Sequence, residues 1–205
     1  MAGASAGGMT SSITVAQLFD MANYQPVERI PRANFEPTNR FYEAWVKKID
    51  ILEMLDVRDL PNRSTKVMSL FDSSIITRIA KSALEISNPQ PFPSFVDPNL
   101  QIYLTTSNLR GVPYSLDLRG VDGETPYRMS SHADFCNFYF GDQNTALDGI
   151  GSVHVNFSDE AAQDLFLQAT MATGAFPIGL APRKINTLKE RYEKRLWRAP
   201  LDEPS

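Results

Sequence analysis

Apolar residues fall at helical spacing along the first part of the chain and gather into β-branched and aromatic runs along the second. Met9, Ile13, Ala16 and Leu18 predict a helix over Gly8 to Ala22. A polar, Pro-containing stretch from Asn23 to Pro37 reads as a loop. Thr38 or Asn39 then caps a helix from about Arg40 to Val57, whose stripe of Phe41, Ala44, Trp45, Ile49, Leu52 and Leu55 is expected to pack in the core. Asp59 to Arg63 breaks that pattern. A further helix spans about Ser73 to Ile86, capped by Asp72, with Ile75, Ile76, Ile79, Ala80, Ala83 and Leu84 facing inward. The Pro-rich run from Asn88 to Pro93 ends it.

Beyond Pro93 the period changes. Leu100 to Ser107 and Val112 to Leu118 are rich in β-branched and aromatic residues, and Asn108 to Gly111 is expected to join them as a hairpin. Tyr127 to Phe140 carries another strand-like aromatic run, and Val153 to Phe157 reads as a short strand. Ser158 then caps a helix with Asp159 and Glu160 in its first turn, which runs to about Thr173 and stops at Gly174. Asn186 to Trp197 reads as a charged amphipathic helix, a solvated surface element or a docking helix for a partner or membrane. Helices mixed with strands indicate an α/β domain over residues 1–185, followed by the amphipathic helix and a Pro-containing tail over 186–205.

The 205 residues are enough for one substantial core. A formal charge of -4, with no basic run interleaved with aromatics, argues against nucleic acid as a partner. The chain has no apolar stretch of the length a membrane span needs and no basic-then-apolar start of the signal-peptide kind. The single cysteine, Cys136, forms no internal disulfide and reads as a buried thiol among Phe135, Phe138, Tyr139 and Phe140. The two histidines, His132 and His154, show no metal-ligand spacing, so neither a metal nor another cofactor is expected.

The candidate chemistry lies at the start. Gly3-Ala4-Ser5-Ala6-Gly7 fits the Gly-x-Ser-x-Gly pattern of a nucleophile elbow, a sharp strand-to-helix turn that exposes a serine hydroxyl. Gly3 and Gly7 are expected to flank Ser5 because side chains there would collide in so tight a turn. A helix that begins at Ser5 directs free N–H groups and partial positive charge to the place where an oxyanion would form. The bland alternative is a small-residue N-terminus with no chemistry.

Three stretches in order resemble the patatin-like phospholipases, a family of lipid acyl hydrolases. Gly3-Ala4-Ser5-Ala6-Gly7-Gly8 looks like the family's nucleophile motif. Leu104-Thr105-Thr106-Ser107-Asn108-Leu109-Arg110-Gly111-Val112-Pro113 is similar to its Thr-rich strand and polar turn. Ala169-Thr170-Met171-Ala172-Thr173-Gly174-Ala175-Phe176-Pro177 is similar to its small-residue helix and Ala-Phe-Pro turn.

The resemblance covers most of residues 1–185. It implies a three-layer fold with a central mixed sheet flanked by helices. It also implies hydrolysis of a lipid or other acyl ester of phospholipase A type by a serine–aspartate dyad, with no cofactor. Ser5 would be the nucleophile and the Ala6 N–H an oxyanion donor, and peripheral contact with a membrane would go with a lipid substrate.

Two parts of the family pattern do not occur in these residues. The Gly-rich oxyanion loop precedes the nucleophile in the family, and here four residues precede Ser5. The dyad Asp-Gly motif follows the Ala-Phe-Pro turn, and after Pro177 the one aspartate is Asp202. Asp122-Gly123 and Asp148-Gly149 come earlier and read as turns. The chain is therefore expected to be the interior of a longer protein, incomplete at both ends and inactive alone. Two other functions compete: a Ser-His-Asp α/β-hydrolase using Ser5, Asp122 or Asp148, and His154, or a catalytically dead module that binds lipid or protein through the C-terminal helix or the aromatic run Phe135 to Phe140. Arg183 and Lys184 read either as a pair that orients a phosphate or as a plain surface pair.

Overall fold

The computed structural model describes residues 1–20, 39–56, 68–86, 89–91, 93–116, 127–141, 151–187 and 192. Asn23 to Pro37, Asp59 to Arg63, Asp122, Asp148, Asp202 and nearly all of the segment after Asn186 lie outside the described residues.

The fold is α/β, a four-stranded mixed sheet flanked by helices. The strands β1 (Ala2–Gly3), β2 (Gln101–Leu116), β3 (Tyr127–Tyr139) and β4 (Val153–His154) stand in the order β1-β2-β3-β4. β1 is parallel to β2, β2 antiparallel to β3, and β3 parallel to β4. The aromatic and β-branched runs make this sheet because alternate residues can be buried on one face. Ile102 lies opposite Phe138 and Leu104 opposite Cys136, and Ile102, Leu104 and Phe138 are fully buried. Cys136 is partly buried against this core.

Three helices carry the rest of the core: α1 (Ala6–Phe19), α4 (Ser74–Leu84) and α5 (Glu160–Gly174). Ile13, Val15, Ala16 and Phe19 of α1 are buried, as are Ile75, Ile79, Ala83 and Leu84 of α4. Phe166 of α5 meets Phe138 edge to face at 5.1 Å and Phe140 at 5.5 Å. The aromatic run at Phe135 to Phe140 therefore serves the core through Phe138 and Phe140, and not as an exposed contact surface.

Several elements differ from expectation, each for a local reason. The single helix expected over Arg40 to Val57 is three short pieces: α2 (Arg40–Tyr42), a π-helical turn over Glu43–Lys47, and α3 (Ile51–Met54). Asn39 caps the first by accepting from the Tyr42 N–H, and Asp50 restarts the third by accepting from the Leu52 N–H. The wide turn shifts the apolar stripe, so Ala44 is buried while Leu52 and Leu55 are exposed.

Asn108 to Gly111 is no hairpin turn. It is an irregularity within one long strand, paired with β3 over Gln101–Ser107 and again over Val112–Leu116, with the register slipping in between. The Asn108 side chain accepts from the N–H groups of Arg110 and Gly111, and Gly111 holds a φ of 75°. At the start of α5 the capping residue is Asp159 rather than Ser158, since its carboxylate accepts from Ala161 and Ala162. Asp72 acts one residue earlier than a cap, accepting from the Ser74 N–H, with Ser73 in the cap position.

Candidate active site

Ser5 occupies the turn between β1 and α1, with φ 52° and ψ −127°. Positive φ is uncommon for a residue with a Cβ and costs about 1–3 kcal/mol, so it persists only where the surroundings impose it. Three things impose it here. β1 is held in register on β2, with the Thr105 hydroxyl donating to the Gly3 carbonyl. α1 is fixed from its first turn, with the Gly7 and Gly8 N–H groups donating to the Ala4 carbonyl and the Met9 N–H to the Ser5 carbonyl. The Ser5 N–H itself donates to Thr173 Oγ1 on α5 at 3.1 Å.

A serine before a helix normally turns its oxygen back to accept from the first turn. Ser5 makes no such side-chain bond. Its residue is exposed, and among the described residues its hydroxyl has no hydrogen-bond partner. The Ala6 N–H is likewise without an acceptor among the described residues, while its neighbours on either side are engaged. The turn thus presents one unengaged hydroxyl beside one unengaged backbone donor, the pairing that nucleophilic attack on a carbonyl uses.

The glycines divide differently from expectation. A Cβ on Gly3 would stand 2.6 Å from the Gly8 Cα and N, and one on Gly8 would stand 2.6 Å from Thr173 Cγ2. A Cβ on Gly7 would meet nothing within 4 Å. The elbow needs Gly3 and Gly8, and Gly7 lies free on the outer side of the first helical turn. Gly3→Ala is therefore expected to destabilise the protein by about 2 kcal/mol or more, because backbone must move to admit the methyl. Gly7→Ala should stabilise it by roughly 0.5–1 kcal/mol through helix propensity. Urea unfolding of the two variants checks the contrast.

α1 and α5 meet along a seam of small and hydroxylated residues. The Ser12 hydroxyl donates to the Gly8 carbonyl at 3.0 Å, and the Thr170 hydroxyl donates to Ser12 Oγ at 2.8 Å, both buried. Gly174, expected to stop α5, is its last residue, and a Cβ there would lie 2.3 Å from Met9 Cε. The Met9 side chain therefore packs directly over Gly174, whose backbone is not left-handed. The Ala175-Phe176-Pro177 turn leads into Ile178, an exposed β-branched residue at φ 69°. The carbonyls of Ile178 and Gly179 accept from the N–H groups of Leu70 and Phe71, which ties this turn to the segment before α4.

The remaining candidates are not gathered at Ser5. His154 is on β4, at the far side of the sheet, and its Nε2 lies 2.9 Å from the Gly141 carbonyl. Three strand spacings separate β4 from β1, about 14 Å. His154 is also at the level of Tyr139 and Gln101, whereas Ser5 lies beyond the level of Leu104 at the other end. His132 is engaged through Nδ1 with the Asn108 carbonyl at 2.6 Å. Arg183 is half-buried with a guanidinium nitrogen 3.4 Å from the Ser73 carbonyl, and burial lowers its pKa from the usual arginine value. It braces the segment after α5 against the start of α4, while Lys184 is exposed. Among the described residues no cluster of His, Cys, Asp and Glu side chains suits a metal ion.

One apolar groove adjoins the seam. It lies between Met9 and Ile13 of α1, Ala44 and Trp45 of the π-helical turn, Ile76, Ile79, Ala80, Ala83 and Leu84 of α4, and Thr170 of α5. Sequence reasoning placed most of these residues in the core. It gave no sign that four separated segments leave a space between them.

No protein-family profile matches the chain, and no solved structure does. The chain is 30% identical over 227 aligned residues to an uncharacterized protein, y4iI, of Sinorhizobium fredii. The alignment takes in 95% of this chain and 31% of that protein, so the chain spans under a third of the length of the relative it matches.

Proposed function

We propose that Ser5 is the nucleophile of a lipid acyl hydrolase, a phospholipase A-type serine esterase with the three-layer patatin-like fold and a serine–aspartate dyad. The observation that carries the reading is the strained backbone of Ser5, φ 52° and ψ −127°, at a strand-to-helix turn. The unengaged Ala6 N–H beside it and the order of the three motif stretches support it further. The dyad acid and the Gly-rich oxyanion loop are then supplied by sequence outside residues 1–205.

The chemistry follows from that arrangement. Ser5 Oγ attacks the acyl carbonyl and its proton passes to the aspartate. The carbonyl oxygen gains negative charge, which the Ala6 N–H and the positive end of α1 stabilise. The C–O bond breaks, the alcohol leaves with the proton, and the acyl group stays on Ser5 until water, deprotonated by the same aspartate, attacks it; the acid is released as that proton returns to Ser5 Oγ. Thr173 and Gly8 position Ser5 and do not touch substrate.

A triad through His154 is the reading that the sheet order argues against. In the longer protein, His154→Ala is expected to keep hydrolysis of short p-nitrophenyl esters within about threefold of the parent. A loss on the order of 10⁴-fold, as for a triad histidine, would replace the dyad with a triad.

A further inference from the structure

The seam between α1 and α5 buries two hydroxyls that packing alone does not call for. Ser12 is 0% exposed and Thr170 3%. Ala16 and Ala169, on the same two helices, are fully buried as well, so small apolar residues pack on both. Burying a hydroxyl costs free energy that its hydrogen bond only about offsets. Replacing both partners with apolar groups of the same shape is often neutral. The pair therefore adds little to stability.

What the pair adds is direction. The Thr170 hydroxyl donates to Ser12 Oγ, and the Ser12 hydroxyl donates to the Gly8 carbonyl, a bond that a helix does not require. Gly8 is where the sides of the elbow meet. A Cβ there would stand 2.6 Å from Thr173 Cγ2 on α5 and 3.2 Å from the Gly3 carbonyl on β1. The Gly8 N–H donates to the Ala4 carbonyl. One helical turn after Thr170, Thr173 accepts from the Ser5 N–H. α5 thus holds the turn at two points, Ser5 through Thr173 and Gly8 through Thr170 and Ser12.

We infer that Ser12 and Thr170 are positioning residues for the Ser5 hydroxyl. Together they fix the first turn of α1, and with it the direction of the Ala6 N–H relative to Ser5 Oγ. The inference deepens the reading of Ser5 as nucleophile and rests on it. Neither residue touches the reacting atoms. A misplacement of about 1 Å can cost on the order of 10²-fold in rate, so a turn loosened at one of its two anchors loses rate without losing fold.

Ser12→Ala, Thr170→Val and the double variant test this, because stability and positioning part company in the double. Ser12→Ala alone leaves the buried Thr170 hydroxyl without its acceptor and is expected to lower the urea midpoint by about 0.5 M or more. Adding Thr170→Val removes that hydroxyl and should bring the midpoint back to within about 0.3 M of the parent. The elbow is not repaired. In the 205-residue chain, the amides of Ser5, Gly7, Gly8 and Met9 are each hydrogen-bonded within the elbow. In the double variant they are expected to exchange with deuterium about tenfold faster, followed by mass spectrometry of the N-terminal peptide. In a protein extended to carry the proposed acid and oxyanion loop, kcat for a short p-nitrophenyl ester should fall about tenfold in Ser12→Ala and in the double alike, with KM within about twofold. Thr170→Ser, which keeps the hydroxyl, should lose no more than about threefold in kcat.

Unchanged exchange in the double variant would overturn the pair as an anchor of the turn, whatever Ser5 does. A kcat that recovers together with the urea midpoint would make the pair structural and overturn its positioning role. Failure of the nucleophile reading shows separately, as hydrolysis that survives Ser5→Ala. Quickened exchange would then mark an anchored turn without chemistry, and the positioning role would fall with that reading.

Discussion

Ser5→Ala is expected to lower ester hydrolysis by about 10⁴-fold or more in a protein extended to carry the proposed acid and oxyanion loop, with no loss of fold. The size follows from the role. Removing a serine nucleophile leaves only binding and oxyanion stabilisation, and such losses reach about 10⁶-fold in kcat. The preserved fold follows from the site. The Ser5 side chain is exposed and engages nothing among the described residues, and alanine carries the same Cβ into the same strained backbone. Melting should therefore shift by no more than about 0.5 kcal/mol equivalent. Steady-state turnover of a short p-nitrophenyl ester, with thermal unfolding measured beside it, separates lost chemistry from lost structure. Equal loss of both would make Ser5 a structural residue.

The second large effect is on stability. Phe138→Ala should cost about 3–5 kcal/mol, among the heaviest penalties a single core truncation carries. Phe138 is fully buried near the end of β3, pairs with Ile102 on one side and Val153 on the other, and packs its ring on Phe166 of α5. One residue thus links three strands and a helix, and neighbours held in the sheet ladder cannot collapse into the space it leaves. Against a total stability of about 5–15 kcal/mol this is a large fraction. Chemical denaturation of the 205-residue chain should show an earlier midpoint with an unchanged slope. A cost below about 1 kcal/mol would mean that the sheet and α5 are not packed as described.

The sequence was most legible where one physical rule acted alone. α4 carries a full apolar stripe, α1 has Met9, Ile13 and Ala16 at helical spacing, and α5 has an acidic first turn and a closing glycine; the structure changed only their ends. The elbow was legible because a strained serine demands small neighbours within a few residues of itself. Reading failed where two rules competed. Asn108 to Gly111 has the composition of a turn, yet a long-range partner, β3, keeps the strand running and turns the same residues into a bulge. The stripe from Phe41 to Leu55 is helical in period, but the cap at Asp50 and the wide turn before it break the helix and expose its second half.

Gly7 and Gly8 illustrate a third kind of failure. The motif favours Gly7, but the residue that cannot gain a Cβ is Gly8, because Thr173 lies against it from 165 positions away in the chain. The groove between α1, the π-helical turn and α4 is of the same kind. Met9, Trp45, Ile79 and Thr170 share it by topology, and no spacing along the chain links them.

The central claim, that Ser5 attacks the acyl carbonyl, is tested most directly by trapping. The longer protein is incubated with an alkyl fluorophosphonate, which phosphonylates activated serines, and its peptides are mapped by mass spectrometry. The account predicts one stoichiometric adduct on the N-terminal peptide, fragmenting at Ser5, and its disappearance in Ser5→Ala while hydrolysis is lost in parallel. An active protein that leaves Ser5 unlabelled and carries the adduct on another residue would contradict it.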